Sequence, residues 1–269
     1  MRSALAALAL CLAPPSHAVV LSSATLSNPH QLIKGLLPHS TAYLNLPVFP
    51  EELVFDVSWG VIGVGQARLS VRQLVDFSGL AAYHLKAEAR SNKFCDNFYK
   101  VRDESESWMD ALTLGSLGYW KRLREGGFFR DEWVLYDHSN RSFLAKTTGK
   151  DGNFTFRGGT VPVSVQDVLS SLYFVRTQSL EPGREIALDI NTKQNWPLIV
   201  RVIKRERIKV PAGRFNTVLL EPGLRDEGIF IQKGKRLRIW VTDDGRRIPV
   251  KMSVEVFFGH VSASLLSGA

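Results

Sequence analysis

From Glu51 onward the chain repeats every second residue. In LVFDVSW (53–59), Leu53, Phe55, Val57 and Trp59 alternate with smaller or polar residues. A period of two puts alternate side chains on opposite faces of an extended strand, which suits one buried face of a sheet and not a helix. The same style recurs over 64–75, 83–91, 99–109 and 128–136, and again over 185–191, 198–210, 215–221, 235–242 and 247–258. Turn chemistry separates these runs: Ser78-Gly79, Gly126-Gly127, Asp151-Gly152, Gly158-Gly159, Pro211-Ala212-Gly213, Lys233-Gly234 and Asp243-Asp244-Gly245. Short links between successive strands make neighbours antiparallel. One segment departs from the pattern. Over 164–178, Val165, Val168, Leu169, Leu172 and Val175 fall at helical spacing, Ser164 with Asp167 resembles a capping box, and Pro182-Gly183 follows as a stop. Many strands, one helix and no βαβ alternation predict a mainly all-β fold: a single large antiparallel sheet, curled or forming an open β-barrel, with one substantial helix.

The first eighteen residues carry a different signal. Met1-Arg2 is a short positive start, the apolar run ALAALALCLA (4–13) follows, Pro14-Pro15 breaks it, and Ser16-His17-Ala18 offers small residues where a signal peptidase reads. The run is too short to span a bilayer, and no later stretch predicts a transmembrane helix. This predicts a signal peptide at 1–18, a mature chain from Val19 and a periplasmic address. Lipidation at Cys11 is the competing reading, but Leu10 stands where a small residue is needed. Residues 19–50 are nearly uncharged and rich in Ser, Asn, His and Pro, which predicts an irregular or extended lead-in; 51–266 is then the β domain. The formal charge of the whole chain is +8, so loss of Arg2 leaves about +7. Such a balance suits anionic envelope material; no aromatic–basic motif points to nucleic acid. Of two cysteines only Cys95 remains after cleavage, so no internal disulfide forms and Cys95 reads as a small packed residue between Phe94 and Phe98.

Gly60, Gly63 and Gly65 raise the question of a phosphate loop. Such a loop needs a helix after it, whereas QARLSVR (66–72) alternates like a strand. The glycines are therefore expected to supply positive φ in a hairpin turn and to let the backbone pass under Trp59. Gly213 and Gly245, each between two strands, are expected at positive φ as well.

Four constellations could carry chemistry. The mature histidines form no H-x-H or H-E-x-x-H pair, so neither a metal site nor a cofactor is predicted. Carboxylates beside aromatics occur twice: Glu104, Glu106 and Trp108 share one strand face, and Arg130-Asp131-Glu132 precedes Trp133. Glu104 and Asp131 are the candidates for a glycan-acting hydrolase with paired acids; the competing reading is ion pairing across the sheet with Lys100, Arg102, Lys121, Arg122 and Arg124. Basic strands form the third group. Arg201, Arg205, Arg207 and Lys209 point one way, and Arg236 and Arg238 share a face with Trp240; they could bind phosphate or carboxylate groups, or stand as a solvated outer face. The fourth is the concave side of the curled sheet. Trp59, Phe94, Phe98, Tyr99, Trp120, Leu172, Tyr173 and Trp240 are candidates for its lining, around either a ligand cavity or a filled core.

Five stretches carry a resemblance: VSWGVIGVGQARLSV (57–71), KFCDNFYKVRDESES (93–107), DVLSSLYFVRTQSLEPG (167–183), VPAGRFNTVLLEP (210–222) and IWVTDDGRRIPVKM (239–252). Together they resemble an exported bacterial family of unknown function, DUF3108, over nearly the whole mature chain. The resemblance implies a curled antiparallel sheet or open barrel, similar to the lipoprotein-carrier folds of the envelope. It implies no activity and no catalytic residues. The expected function is that of a non-catalytic envelope protein that binds or carries an amphipathic lipid or glycan, with Trp59, Tyr173, Trp240, Arg236 and Arg238 as binding candidates. The alternatives are the hydrolase using Glu104 and Asp131, and a structural or partner-binding protein.

Overall fold

The structure, a computed structural model, describes residues 29–38, 46, 49–224, 236–256 and 259–268. The predicted signal peptide and the first part of the lead-in lie outside the described residues.

Alternation folds as the period of two requires. The strands are β1 (Ile33–Leu37), β2 (Glu51–Trp59), β3 (Ile62–Phe77), β4 (Leu80–Ser91), β5 (Arg102–Asp110), β6 (Ser116–Glu125), β7 (Phe128–Asp137), β8 (Ser142–Gly149), β9 (Phe154–Thr160), β10 (Glu185–Asn191), β11 (Asn195–Val210), β12 (Gly213–Leu224), β13 (Leu237–Thr242), β14 (Pro249–Glu255) and β15 (His260–Gly268). They form one antiparallel sheet in the order β10-β11-β12-β13-β14-β15-β2-β3-β4-β5-β6-β7-β8-β9, and β1 pairs with the far end of β3 beyond β2. The chain therefore runs up and down, except where β15 returns to pair with β2 and the helix-bearing connection carries it from one sheet edge, β9, to the other, β10. The sheet curls without closing. Its edges approach where Asn195 Nδ2 donates to the Thr160 carbonyl (2.9 Å).

Two helices interrupt the strands, α1 (Lys93–Asp96) and α2 (Val168–Thr177). α2 begins at Asp167 and not at Ser164. Asp167 accepts from the Leu169 and Ser170 amides, and Ser170 Oγ accepts from the Asp167 amide. Ser164 instead sits at φ 58 in the approach to the helix. The helix lies on the concave face, where Leu169 and Tyr173 join Leu53, Phe55, Leu69, Val71, Leu85 and Met109 in the main core. Its far end packs Val175 against Ile186, Ile190, Val200 and Leu220. A second core on the convex face holds Phe77, Trp108, Trp133 and Leu135 under Leu32 and Ile33 of the lead-in.

The glycine run serves two purposes. Gly60 has φ +59 and makes the β2–β3 turn. Gly63 and Gly65 do not have positive φ; at Gly65 a Cβ would stand 2.2 Å from the Arg90 carbonyl oxygen, so glycine there permits close approach of β4. Gly213 does have positive φ (+139), but Gly245 does not. In that loop the positive φ falls on Arg247, because Asp244 Oδ1 accepts from the Arg246 and Arg247 amides and fixes the turn.

Candidate functional site

Inward positions follow from the alternation. On β2 they include Phe55, Val57 and Trp59; on β3, Gly65, Ala67 and Leu69; on β4, Leu85, Ala87 and Ala89; on β5, Ser105 and Ser107. Register puts Leu69 beside Ala87, and Ala87 beside Ser105. Opposite Leu69 and the small residues Ala87 and Ser105, α2 presents Val168, Leu169, Leu172 and Val175. The helix does not fill the concavity. A cavity of about 280 Å³ remains, lined on its other sides by Leu198, Val200, Leu220, Pro222, Leu237, Ile239 and Met252. It is apolar except for Ser171, whose hydroxyl is turned back to the Val168 carbonyl (2.8 Å), and one corner, where Tyr119 Oη donates to Ser105 Oγ (3.4 Å). Burial holds the Tyr119 phenol well above its ordinary pKa, so it stays a neutral donor.

Farther along the same face a second space of about 550 Å³ lies between β2–β4 and the α1 segment. Val57, Trp59, Ile62, Val64, Phe94, Cys95, Phe98 and Tyr99 line it. Gly65, Ala67, Ala87 and Ala89 occupy the inward positions between the two spaces.

Both ends of α2 are pinned by buried charge. Asp167 is wholly buried; besides the two helix amides it accepts from Ser107 Oγ (2.6 Å) and Ser116 Oγ (2.5 Å). Burial pushes its carboxyl above the ordinary range, against the pull of those hydrogen bonds. At the other end Arg176 makes two bonds to Glu51, of 2.8 and 2.7 Å, with both side chains buried. Its guanidinium also lies over the Tyr173 ring.

The predicted site residues disperse. Trp59 lines the outer space and is 47% exposed. Tyr173 is sealed in the packed core beside Arg176 and does not line the cavity. Trp240 lies on the face of β13 opposite to Ile239; its indole N–H donates to Glu206 (2.8 Å), and Lys251 sits over its ring. Arg236 and Arg238 share that face, and Arg238 lies 3.6 Å from Glu221. Arg201 and Arg205 are engaged by Glu185, Glu181 and Asp243. Glu104 and Asp131 stand on the convex face, separated in register by Arg122. Glu104 bonds Arg122 (2.8 Å) and Asp131 pairs with Arg124 (2.7 Å), an arrangement of cross-strand ion pairs rather than two acids flanking a cleft.

The inward carboxylate of that segment is Glu132, next in sequence to the one predicted. It is buried between Lys121 (3.3 Å) and Lys193 (2.6 Å). Alternation along β7 puts Glu132 on the face opposite to Asp131 and Trp133, but which of the two faces turns inward follows only from the pairing with β6 and from the curl of the sheet. On the convex face Glu106 bonds His84 (2.8 Å), with His30 at 3.5 Å. Burial works to raise its pKa, but the His84 hydrogen bond and the charges of His84, His30 and Lys86 outweigh it and hold the carboxyl below its ordinary range. Among the described residues no group of three or more His, Cys, Asp or Glu is placed to hold a metal ion, and no helix is long and apolar enough to cross a membrane.

A crystal structure of a beta-barrel-like protein of the DUF1849 family from Brucella abortus aligns with a TM-score of 0.56 at 10% identity, over 83% of this chain and 98% of that one. The likeness is one of fold. A protein of YmcC-like fold from Bacteroides fragilis aligns over 87% of this chain and 99% of its own at 6% identity, but with a TM-score of 0.35, too low for the two to be called alike. No curated protein matches the sequence. The family described as "Protein of unknown function (DUF3108)" matches residues 54–266, including the β2–β3 hairpin, α2 and both spaces, and the chain belongs to that family.

Proposed function

We propose that this protein is a non-catalytic binding or carrier protein of the bacterial envelope, exported by residues 1–18 and working in the periplasm on an amphipathic molecule. The observation that carries the reading is the apolar cavity of about 280 Å³ left between α2 and the concave face. A packed interior leaves few voids larger than a water molecule. Here small inward residues face the helix in successive rungs, and the space they leave has apolar walls and one polar corner. That is the lining of a ligand pocket. Each methylene moved there from water gains about 0.8 kcal/mol, so an acyl chain is the ligand such walls favour. The Tyr119 and Ser105 hydroxyls offer hydrogen bonds to a polar group on it. The inward row Gly65, Ala67, Ala87 and Ala89 leads to the second space, with room for a longer chain.

The test is displacement of a fluorescent fatty acid. The protein should take up the probe, and Leu172→Trp, which fills the cavity, should weaken uptake by at least about tenfold while the melting temperature stays within a few degrees. Absence of uptake, or equal uptake by the variant, would remove the carrier reading. A Leu172→Trp chain that fails to fold would mean that the cavity has no room to give.

A further inference from the structure

In an up-and-down sheet alternate turns share one end. The turns at 60–61, 126–127 and 150–153 and the connection at 92–101 therefore lie at one end; Asn92 Nδ2 donates to the Gly63 carbonyl (2.7 Å) beside the first turn, and three contacts join the others. The Gly126 amide donates to the Lys100 carbonyl (2.8 Å), Tyr99 abuts Gly126, and Lys150 Nζ lies 5.0 Å from the centre of the Phe129 ring. Of the fifteen large hydrophobic residues exposed among those described, ten fall within three residues of these turns: Trp59, Val61, Ile62, Phe94, Phe98, Tyr99, Phe128, Phe129, Phe154 and Phe156. Val61 is fully exposed (101%) and Phe98 is 78% exposed. Exposed apolar side chains concentrated at one end of the sheet mark an interaction surface.

Its chemistry selects the partner. Cations lie over the exposed rings: Lys146 over Phe154 (4.5 Å), Arg130 over Phe128 (5.0 Å), Lys150 over Phe129 (5.0 Å) and Arg124 over Phe129 (5.3 Å). Of the acids in these turns, Asp96 is engaged by Arg102 (2.5 Å), Asp151 by Asn153, and burial and the charge of Asp103 push the Glu125 carboxyl above its ordinary range. Phenyl tips with cations at their own level, with Trp59 and Tyr99 among them, match the boundary between acyl chains and phosphate headgroups. The chain's formal charge of +8 adds attraction to an anionic layer. A soluble protein partner would need shaped pockets for these side chains; a bilayer accepts separate tips on separate turns.

We propose that this end docks on a lipid bilayer carrying anionic headgroups, through Val61, Ile62, Phe94, Phe98 and the Phe128–Phe129 turn. The space beside Trp59 then opens at the lipid surface. This docking does not depend on the inner cavity's being filled.

The experiment is flotation of the purified protein with vesicles of phosphatidylethanolamine and phosphatidylglycerol, and with vesicles of phosphatidylcholine alone. The wild type should float with the anionic vesicles and less with the neutral ones. The double variant Val61→Asp/Phe98→Asp should lose at least about tenfold in partitioning with an unchanged melting temperature, since both side chains are exposed. Lys150→Ala should lose roughly fivefold, and only at low salt. Leu172→Trp should float like the wild type, which separates this proposal from the carrier reading. Failure to float with any vesicle, or equal flotation of the double variant, would overturn it. So would an oligomer that the same double variant dissociates in the absence of vesicle binding, because the patch would then be an interface between copies of this chain.

Discussion

The two ends of the sheet are built from opposite chemistry. At one end the turns are 78–79, 111–115, 138–141 and 243–248. Asp110, Asp137 and Asp244 close three of them by accepting from nearby backbone amides. Here the interior is sealed. Asp167 and Arg176 fix α2 across it, and the tip of the β11–β12 hairpin folds over, with the Ala212 amide donating to the Leu265 carbonyl (2.9 Å) and Ile208 and Phe215 packed on the core. At the other end the turns carry phenyl rings, and an open apolar space lies beside Trp59, reached along inward glycine and alanine positions. One sequence thus spends its buried ion pair on rigidity at one end and leaves apolar surface in water at the other. With charge fixing the helix at both termini, α2 forms one wall of the cavity, and on the proposed carrier reading a ligand enters from the aromatic end.

The largest effect should come from the sealed end. Arg176→Met leaves Glu51 buried without its partner and should cost about 3–5 kcal/mol, seen as a large fall in melting temperature. An unchanged melting temperature would mean that the pair is not what fixes the helix. Gly65→Val comes next, at about 1–3 kcal/mol, because its side chain would meet the β4 backbone. Gly63→Ala, two residues away with open space around it, should stay within about 0.5 kcal/mol. Equal effects at both glycines would mean that the close approach of β4 does not set Gly65 apart from Gly63.

The Asp167 cap gives a pH test of smaller size. Burial raises its folded-state pKa above the unfolded value near ~3.9, so the native state holds this proton more tightly than the unfolded chain does. The carboxyl therefore favours folding most below about pH 4 and less as pH rises through the folded-state value. Asp167→Asn removes that titration. Denaturant unfolding from pH 4 to 7 should show the wild type losing stability relative to the variant; a relative gain would mean that the four hydrogen bonds outweigh burial.

Much of this contrast was legible in the sequence. The period of two located β2–β5, β7 and β10–β14, because alternate residues of each turn one face toward a core. β6, β8 and β15 escaped it. β6 changes from buried to half-buried along its length, and β15 is built largely from Ser, Ala and Gly, whose burial reflects neighbours rather than hydrophobicity. β9 is an exposed edge strand whose alternation of Phe154 and Phe156 stops after two residues, at Arg157 and two glycines. The helix was legible from its spacing, but its cap was not. Ser164 and Asp167 both suit the position, and Asp167 wins because Ser107 and Ser116, on strands 60 and 51 residues away, enclose its second oxygen. In the candidate site Trp59 and Leu172 were found because a large apolar residue on an inward face must line something. Alternation also put Arg236, Arg238 and Trp240 on one face, but which face looks inward is set by Leu237 and Ile239 meeting α2 across the sheet. That depends on curl, and curl is not written in any one strand. Arg176 was unforeseen for a related reason: its partner, Glu51, lies 125 residues away.

The central claim is that the space beneath α2 is a ligand site and not a packing defect. Native mass spectrometry of the protein purified from its own envelope, without detergent exchange, tests it most directly. The account predicts an added mass of an amphipathic molecule on the wild type that is absent from Leu172→Trp purified alongside. Bare protein in both preparations, with a cavity that stays empty when the envelope lipids are added back, would contradict it.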